Sequence, residues 1–448
     1  MSSRRSFRIT GETSSSVPLP TIPGSMVVLG PLFKMTAFGR TWPRGGRDEY
    51  LRDGMAVRNG MIWADGMWDA DREQWNRLAD RYETPLLDWD WLRILEDSGS
   101  VGPQEGWLPH HLLVYEEGRL IAAAPMYVKT HSAGEFVFDY AWAEVAEQLG
   151  CDYYPKLVAM SPLTPAIGYR FLVDPQVNEQ QVVDGMIAEI TAHCREHGLH
   201  GFSVLWPEQD FAEILGDETF TPWRHQHYRW ENESFATFDD YLSVFNKNQR
   251  RNIKRERSSM PDQGLIVQTR FASRVPDDHF SAMYRYYLNT NAQFGPWAAR
   301  FLNGEFFRMV KESCGERVVF TMAYEAGETV PIGMAMLLYK PNRLIGRYWG
   351  ADRFVNNLHF NLCYYEPIRW AIEQGVQIFD PGMGSSHKVR RGFRAVATHS
   401  LHHFTDERMQ LVMRMNIDRI NRYEQMHIEH LNDHLPFARH RPAQGSPR

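Results

Sequence analysis

Leu113-Val114-Tyr115-Glu116-Glu117-Gly118 in the first half of the chain is similar to Met322-Ala323-Tyr324-Glu325-Ala326-Gly327 in the second half. In each stretch, apolar residues lead to an acidic turn with a glycine. A second apolar run follows, which ends at Tyr127-Val128-Lys129 in one case and at Leu338-Tyr339-Lys340 in the other. Apolar runs on both sides of a short turn predict an antiparallel β-hairpin. We therefore expect equivalent hairpins in two copies of a duplicated unit.

A second pair of similar stretches follows the hairpins. Residues 182–197 and 365–374 have a helical pattern, and each stops at a glycine that precedes an apolar strand. The predicted order of elements in each half is therefore hairpin, strand, helix and strand. This order predicts an α/β fold. The tyrosines of the two hairpins lie 209 residues apart, whereas the glycines that follow the helices lie only 177 apart. The first half therefore contains 32 additional residues, which we place within residues 131–175.

Composition divides the chain into four predicted segments. Residues 1–62 are rich in Ser, Pro, Gly and Arg without an apolar period, which predicts a disordered extension, with a targeting segment as the alternative. Residues 63–234 are predicted to form the first domain with its inserted segment. Residues 235–437 are predicted to form the second domain with C-terminal helices, and residues 438–448 a tail.

Charge and composition exclude several classes of protein. The 448 residues carry 49 basic and 55 acidic side chains, a net charge of −6, which argues against a protein that coats DNA. Hydrophobic residues make up 43% of the chain, enough for sizeable cores. The four cysteines form no C-x-x-C pair, and no apolar run approaches the roughly 18 residues of a membrane span. We expect a cytoplasmic protein with no membrane span and no bound metal, and we interpret the histidines at 225–227 and 399–403 as strand-surface residues.

The additional residues of the first half contain the densest group of polar and aromatic side chains. If residues 135–139 are extended, Glu135 and Asp139 share one face and the two intervening phenylalanines are buried on the other. Two carboxylates near His131 would be able to activate an amine for attack on an acyl carbon. A solvated strand face is the alternative interpretation. Tyr153, Tyr154 and Lys156 follow on a proline-rich segment, which suits the wall of a substrate pocket or a packed loop.

A basic run at residues 246–257 has six basic residues and one acidic residue, at what we expect to be the end of a helix that begins near Phe238. Arg250, Arg251, Lys254 and Arg255 lie on neighbouring helical positions. In an acidic chain, such a cluster suggests a site for the phosphates of a coenzyme or of a tRNA acceptor end. A solvated basic face is the alternative.

The stretch Phe379-Asp380-Pro381-Gly382-Met383-Gly384-Ser385-Ser386-His387-Lys388-Val389-Arg390-Arg391-Gly392-Phe393 joins a predicted strand to a loop of small residues followed by bases. Small residues allow backbone N–H groups to approach an anion, and His387, Lys388 and Arg391 add charge beside them. The spacing is neither that of a P-loop nor that of a dinucleotide-binding fingerprint.

These stretches together resemble the FemAB-like family of N-acyltransferases, which is related to the enzymes of peptidoglycan interpeptide bridges and to the wider GNAT fold. The resemblance runs from about Thr84 to Phe404. It is carried by ordered motifs, namely residues 95–101, 106–112, 127–139 and 153–157, Arg347-Tyr348-Trp349-Gly350, Leu358-His359-Phe360, Cys363-Tyr364-Tyr365, and His387-Lys388 with Arg391-Gly392-Phe393. The family usually has a glutamate directly before His-Lys, where this chain has Ser386.

The resemblance implies two GNAT-like domains in tandem and the transfer of an acyl or aminoacyl group to an amine, with acyl-CoA as the favoured co-substrate and no tightly bound cofactor. An aminoacyl-tRNA donor is the alternative, and a catalytically inactive module that binds a metabolite is a third reading, favoured by the missing glutamate. Substrate contacts are expected from residues of the family motifs, namely Tyr127, Lys129, Tyr153, Tyr154, Lys156, Arg347, Tyr348, Trp349 and Arg391.

For the reaction itself, we predict that Glu135 accepts the proton of the amine, with Asp139 beside it. Lys388 and Arg391 would offset negative charge, while His131 and His387 orient the partners. This assignment requires the inserted segment of the first half and the His387 loop of the second half to meet in one cleft.

Overall fold

Both predicted hairpins are present in the computed structural model, which describes residues 60–295, 298–384 and 386–438. In the first, β3 and β4 are joined by Glu117 and Gly118, both with positive φ (49° and 80°), as a tight turn between twisted strands requires. The strands of the described residues are β1 Met61–Ala64, β2 Trp107–Pro109, β3 His111–Glu116, β4 Arg119–Ala124, β5 Met126–Lys129, β6 Lys156–Ala159, β7 Leu172–Val173, β8 Gly201–Leu205, β9 Thr221–Glu231, β10 Leu265–Phe271, β11 Val318–Glu325, β12 Gly333–Lys340, β13 Arg343–Ala351, β14 Ile378–Asp380 and β15 Arg394–Phe404.

Helices alternate with these strands along the described residues. They are α1 Arg72–Ala79, α2 Trp89–Asp97, α3 Tyr140–Gln148, α4 Glu179–Glu196, α5 Gln209–Leu215, α6 Phe238–Ser243, α7 Lys247–Asp262, α8 Asp277–Ala292, α9 Gly304–Cys314, α10 Leu358–Phe360, α11 Glu366–Gln374 and α12 Glu407–Asp433. A π-helical segment, Asn361–Tyr365, joins α10 to α11. The fold is therefore α/β, as predicted.

The strand order repeats between the two halves. In the second half, β10, β11, β12 and β13 pair antiparallel in sequence, and β13 then pairs parallel with β14. In the first half, β1, β3 and β4 pair antiparallel, β5 and β6 follow antiparallel, and β6 pairs parallel with β8. The same sequence of pairings confirms a tandem arrangement of two GNAT-like units with mixed sheets.

The two copies differ where Pro125 interrupts the first one. Proline has no N–H for a sheet ladder, so the strand that is continuous as β12 is split into β4 and β5 in the first half. As a result, β1, β3, β4 and β7 form a separate four-stranded sheet, while β5 and β2 end the 11-stranded sheet. Cross-strand partners are nevertheless equivalent: Lys129 lies opposite Lys156, and Lys340 lies opposite Arg343.

Each half also contributes its last strand to the other half. Strand β9, from the first half of the sequence, pairs with β14, and β15, from the second half, pairs with β8. The two exchanged strands pair with each other over nine residues of β9, from Thr221 to Arg229. One 11-stranded sheet therefore runs through both halves. The predicted domain division at 234–235 falls between β9 and α6 and stays a prediction.

Three local expectations need correction. Residues 60–62 of the predicted disordered extension are described, and Met61 begins β1, which is paired to β3; residues 1–59 lie outside the described residues. The basic run does not end the helix that starts at Phe238, because Asn246 caps a new helix, α7, by accepting from the N–H groups of Asn248 and Gln249. Residues 439–448 of the predicted tail lie outside the described part.

Candidate active site

The inserted segment after β5 is a loop at residues 130–139, and the strand expected at residues 135–139 is absent from it. Phe136 and Phe138 have φ values of 61° and 57°, a left-handed conformation that a regular strand excludes. Glu135 and Asp139 do share one buried side, as predicted, but Phe138 is 54% exposed rather than buried. Alternating left-handed residues reverse the chain locally and point both carboxylates inward.

Both carboxylates bind one lysine. Lys156 Nζ, at the start of β6, lies 2.9 Å from Glu135 Oε2 and 2.5 Å from Asp139 Oδ2. Tyr153 donates a 2.7 Å hydrogen bond to the same oxygen of Asp139, and Ser132 donates to its other oxygen and contacts the Tyr154 hydroxyl. We call Ser132, Glu135, Asp139, Tyr153, Tyr154 and Lys156 the Glu135 cluster. All of its members except Ser132 were predicted as site residues, in the loop or in the proline-rich segment.

The two carboxyl groups of this cluster differ in their affinity for a proton. Burial raises the pKa of Glu135 to about 7, against the opposing effect of Lys156. Burial also acts to raise the pKa of Asp139, but Lys156 and the hydroxyls that donate to it lower that pKa to about 2. Glu135 Oε1 is buried and has no hydrogen-bond partner among the described residues. Glu135 is therefore the group of this cluster that can exchange a proton near neutral pH.

Lys129 lies next to this cluster without joining it. Its Nζ donates to the carbonyl oxygens of Gly106 (3.1 Å) and Ala133 (3.2 Å) and lies 3.7 Å above the Trp107 ring. Burial lowers the pKa of Lys129 to about 7. His131 is exposed, and its Nδ1 accepts from the Ala133 N–H. Partial desolvation of its ring and the nearby Lys129 lower its pKa to about 4.

A second polar cluster lies at the end of β14. His227 Nε2 lies 2.8 Å from both carboxylate oxygens of Asp380, and Asp380 also accepts from the Gly382 N–H at 2.8 Å. Lys388 Nζ donates to the carbonyl oxygens of Gly382 (2.6 Å) and Met383 (2.7 Å). We call His227, Asp380, Gly382, Met383 and Lys388 the Asp380 cluster. Burial lowers the pKa of Lys388 to about 7, opposed by Asp380.

The other predicted residues of the second half surround this cluster. His387 Nε2 lies 3.0 Å from the Tyr364 hydroxyl, and burial, together with Arg391 and Lys388, lowers the pKa of His387 to about 4. Arg391 donates to Glu256 of α7 at 2.8 Å. The Trp349 ring lies 4.4 Å from the His359 ring, which in turn lies 5.8 Å from His387.

A series of contacts, some within the first half and some between the halves, connects the two clusters. Trp206 donates to the backbone oxygen of Glu135 at 3.0 Å, and its ring lies 5.5 Å from that of His227. Arg347 donates to the backbone oxygen of Leu163 and lies 5.5 Å from the ring of Phe136, directly after Glu135. The Tyr348 hydroxyl also donates to Leu163, at 3.2 Å. A short series of contacts therefore joins Glu135 to Asp380.

The predicted phosphate-binding residues lie on one helix beside the Asp380 cluster. On α7, Arg251, Lys254 and Arg255 are exposed, and Arg250 is half-buried. Gln249 Nε2 binds the backbone oxygen of Arg390 at 2.6 Å, which attaches the first turn of α7 to the loop that carries Lys388. Within the described part of the chain, Arg250 and Arg251 have no carboxylate within 4 Å, whereas Lys254 lies 3.9 Å from Asp239.

Sequence reasoning missed His227, Asp380, Trp206 and Glu256. His227 was interpreted as a strand-surface residue, but it is 1% exposed, and His402 is equally buried. Asp380 and His227 lie 153 residues apart, so no local spacing relates them; the signal available was the single Asp at the end of a predicted strand. Tyr127 lies away from both clusters, fully buried, with its hydroxyl 3.3 Å from Glu96.

No group of three or more His, Cys, Asp or Glu side chains among the described residues is arranged to hold a metal ion. No helix in the same part of the chain has the length and apolar character needed to cross a bilayer.

A family model for FemAB-like proteins, described as peptidoglycan biosynthesis/recognition, matches residues 67–439. The match spans most of the chain, so the protein is an acyltransferase in class and belongs to the FemAB-like family, as the motifs predicted. A comparison with curated protein sequences gave no significant match.

Several solved structures are similar to the chain. FemX aligns over 77% of this chain and 98% of its own, with 9% identity and a TM-score of 0.48. The C-terminal domain of a putative lysylphosphatidylglycerol synthetase from Agrobacterium fabrum aligns over 78% and 95%, with 10% identity and a TM-score of 0.46. A tandem GNAT protein from the clavulanic acid biosynthesis pathway aligns over 77% and 99%, with 12% identity and a TM-score of 0.38.

Proposed function

We propose that the protein transfers an acyl or aminoacyl group from a phosphate-bearing donor, with acyl-CoA favoured, to the amine of a small acceptor molecule. The observation that carries this proposal is Glu135, a buried carboxyl group with a pKa of about 7 and one oxygen without a partner among the described residues. A group of this kind takes up a proton at neutral pH and is held in place by Lys156. The acceptor amine needs such a base when it attacks.

The reaction requires no covalent enzyme intermediate. The amine attacks the acyl carbon, a tetrahedral oxyanion forms, and the amine proton passes to Glu135. Lys388 and Arg391 offset the negative charge of the oxyanion or of the donor, because fixed cations in a site without bulk water act strongly. Collapse of the intermediate breaks the bond from the acyl carbon to the donor sulfur or oxygen, and the leaving group takes the proton from Glu135 and departs as a thiol or hydroxyl. The contacts through Trp206 and Arg347 support a single cleft that serves residues of both halves.

The donor phosphates would lie on α7. Arg250 and Arg251 have no carboxylate partner among the described residues, and α7 is attached to the Lys388 loop through Gln249. An aminoacyl-tRNA donor is the second candidate, because exposed Arg251, Lys254 and Arg255 and the nearby exposed Arg390 would suit a longer phosphate backbone.

Native mass spectrometry of the freshly purified full chain distinguishes the donors. We expect an adduct with the mass of coenzyme A, and release of free thiol from acyl-CoA only when an amine is added. Retained RNA in place of coenzyme A would show that the donor is an aminoacyl-tRNA and not acyl-CoA. Absence of both adducts, with no thiol release from any acyl-CoA in an amine panel, would contradict acyl transfer.

A further inference from the structure

The solvent-facing side of α12 carries more large apolar side chains than a helix surrounded by water usually has. Four large apolar side chains of this 27-residue helix are exposed: Leu411 (58%), Met415 (76%), Tyr423 (61%) and Met426 (67%). Its opposite side is buried through residues such as Met409, Met413 and Ile417. A single exposed apolar residue is ordinary, but several on one helix face indicate a surface that meets a partner.

We define the outer face of α12 as the exposed residues that fall within about 100° of the helix circumference at 100° per residue. Between Arg408 and Glu429, these residues are Arg408, Leu411, Met415, Asp418, Arg419, Arg422, Met426 and Glu429; Asp433 lies on the same side one turn further on. Apart from the adjacent Asp418 and Arg419, they are spaced three or four residues apart, as in helices that pack along a seam. The face extends over about 32 Å of helix at 1.5 Å per residue.

The outer face is complementary to itself when reversed about the midpoint between Asp418 and Arg419. In an antiparallel pair of such helices, Asp418 of each copy lies opposite Arg419 of the other, and Arg408 lies opposite Glu429. Leu411 lies opposite Met426 in the same register. A surface that matches its own reversed copy in both charge and apolar contact is what a two-fold interface requires.

The remaining opposed positions also fit. Met415 faces Arg422, whose aliphatic stem packs on apolar surface while its guanidinium stays in water. Asp418, Arg419 and Arg422 have no ion-pair partner in the described part of this chain, so they are available to a second copy. Arg408 already pairs with Asp406 at 2.7 Å, and Glu429 accepts from Gln425 at 2.9 Å, so these two residues contribute less.

We propose that α12 is a homodimer interface, in which two copies of the chain pair their outer faces antiparallel about a two-fold axis at Asp418 and Arg419. One helix pair buries less than a standard interface of about 1,600 Å², so we expect a reversible dimer in the micromolar range. This proposal is independent of the acyl-transfer chemistry, because α12 carries none of the residues assigned to it.

Sedimentation velocity of the full chain from about 5 to 200 μM tests the interface, with circular dichroism as the check on folding. The wild type should dimerise reversibly. D418R and R419D should each weaken dimerisation at least about tenfold, because each puts like charges opposite each other at two symmetric positions. The double variant D418R/R419D restores opposite charges between copies and should recover the wild-type dissociation constant within about threefold.

Three results would overturn the proposal. One is a wild type that stays monomeric over the whole concentration range. Another is a dimer that neither single substitution weakens, which would place the interface elsewhere. The last is a charge-swapped double variant that dimerises no better than the single variants.

Discussion

Two equivalent pairs of cross-strand cations differ in how they are neutralised. In the second repeat, Lys340 lies opposite Arg343 and has its own carboxylate, with Lys340 Nζ 2.8 Å from Asp88. Arg343 in turn is paired with Glu208. In the first repeat, Lys129 lies opposite Lys156, and both available carboxylates, Glu135 and Asp139, bind Lys156.

The lysines of the two pairs are otherwise held alike. Lys129 and Lys340 are both buried, and each donates to two backbone carbonyl oxygens. Lys129 has no carboxylate within 4 Å among the described residues, and its pKa is lowered to about 7. The same position thus carries an ion pair in the second repeat, whereas in the first repeat its amine has no carboxylate within 4 Å among the described residues. We propose that this asymmetry reflects a role of the first repeat in proton transfer.

Removing the carboxyl of raised pKa should have the largest effect. Glu135→Gln keeps the shape of the side chain but cannot accept a proton, so turnover should fall about 10²- to 10⁴-fold with donor affinity unchanged. Thiol release and coenzyme A titration measure the two quantities. Glu208→Gln, which changes the carboxylate that binds Arg343 of the second repeat, is the matched control and should leave turnover within about threefold. Equal losses in both variants would show that the repeats do not differ in this way.

The two lysines should differ in their effect on stability. Lys340→Met breaks a buried ion pair and should lower the free energy of unfolding by about 3 kcal/mol, with Arg317 still binding Asp88. Lys129→Met removes an amine that has no carboxylate partner and leaves no charge unpaired, so its effect on the free energy of unfolding at pH 7 should be smaller. Urea denaturation of both variants at pH 7 gives the comparison. A larger loss in the Lys129 variant would contradict it.

Substitutions in α7 should weaken donor binding without changing the stability of the protein. Arg250→Ala and Lys254→Ala each remove one charge-assisted contact, so each should weaken coenzyme A binding about ten- to a hundredfold, more at low salt than at high salt. The melting temperature should not change, because Lys254 is exposed and Arg250 lacks an ion-pair partner in the described residues. Unchanged titration curves for both variants would remove α7 from the donor site.

The pH dependence of stability should distinguish a neutral Lys129 from a charged one. Between about pH 7 and its ordinary pKa of 10.5, the unfolded chain binds a proton at Lys129 that the native chain does not. The free energy of unfolding of the wild type should therefore rise relative to Lys129→Met by up to about 1.4 kcal/mol per pH unit. Urea curves at pH 7.5, 8.5 and 9.5 measure this difference. Parallel curves would mean that Lys129 is charged in the folded protein.

Local pattern predicted the repeated elements and most of the residues of the Glu135 cluster. The hairpins and the helix before each glycine stop follow from residues close together in sequence, and the additional residues of the first half were predicted to hold both Glu135 and Lys156, though not their contact. The exchange of β9 and β15 does not follow from local sequence, because the pairing of β9 with β14 joins residues more than a hundred positions apart. The left-handed Phe136 and Phe138 could not be predicted either, since residue type disfavours that conformation and only tertiary packing imposes it.

The most direct test of the account is the titration of Glu135 itself, followed by the infrared stretch of protonated carboxyl groups between pH 5 and pH 9. We predict a buried carboxyl band in the wild type that disappears with a midpoint near pH 7 and is missing from Glu135→Gln. A wild type whose carboxyl groups are all ionised by pH 5.5, or a band that persists in Glu135→Gln, would contradict the role of Glu135 as the proton acceptor.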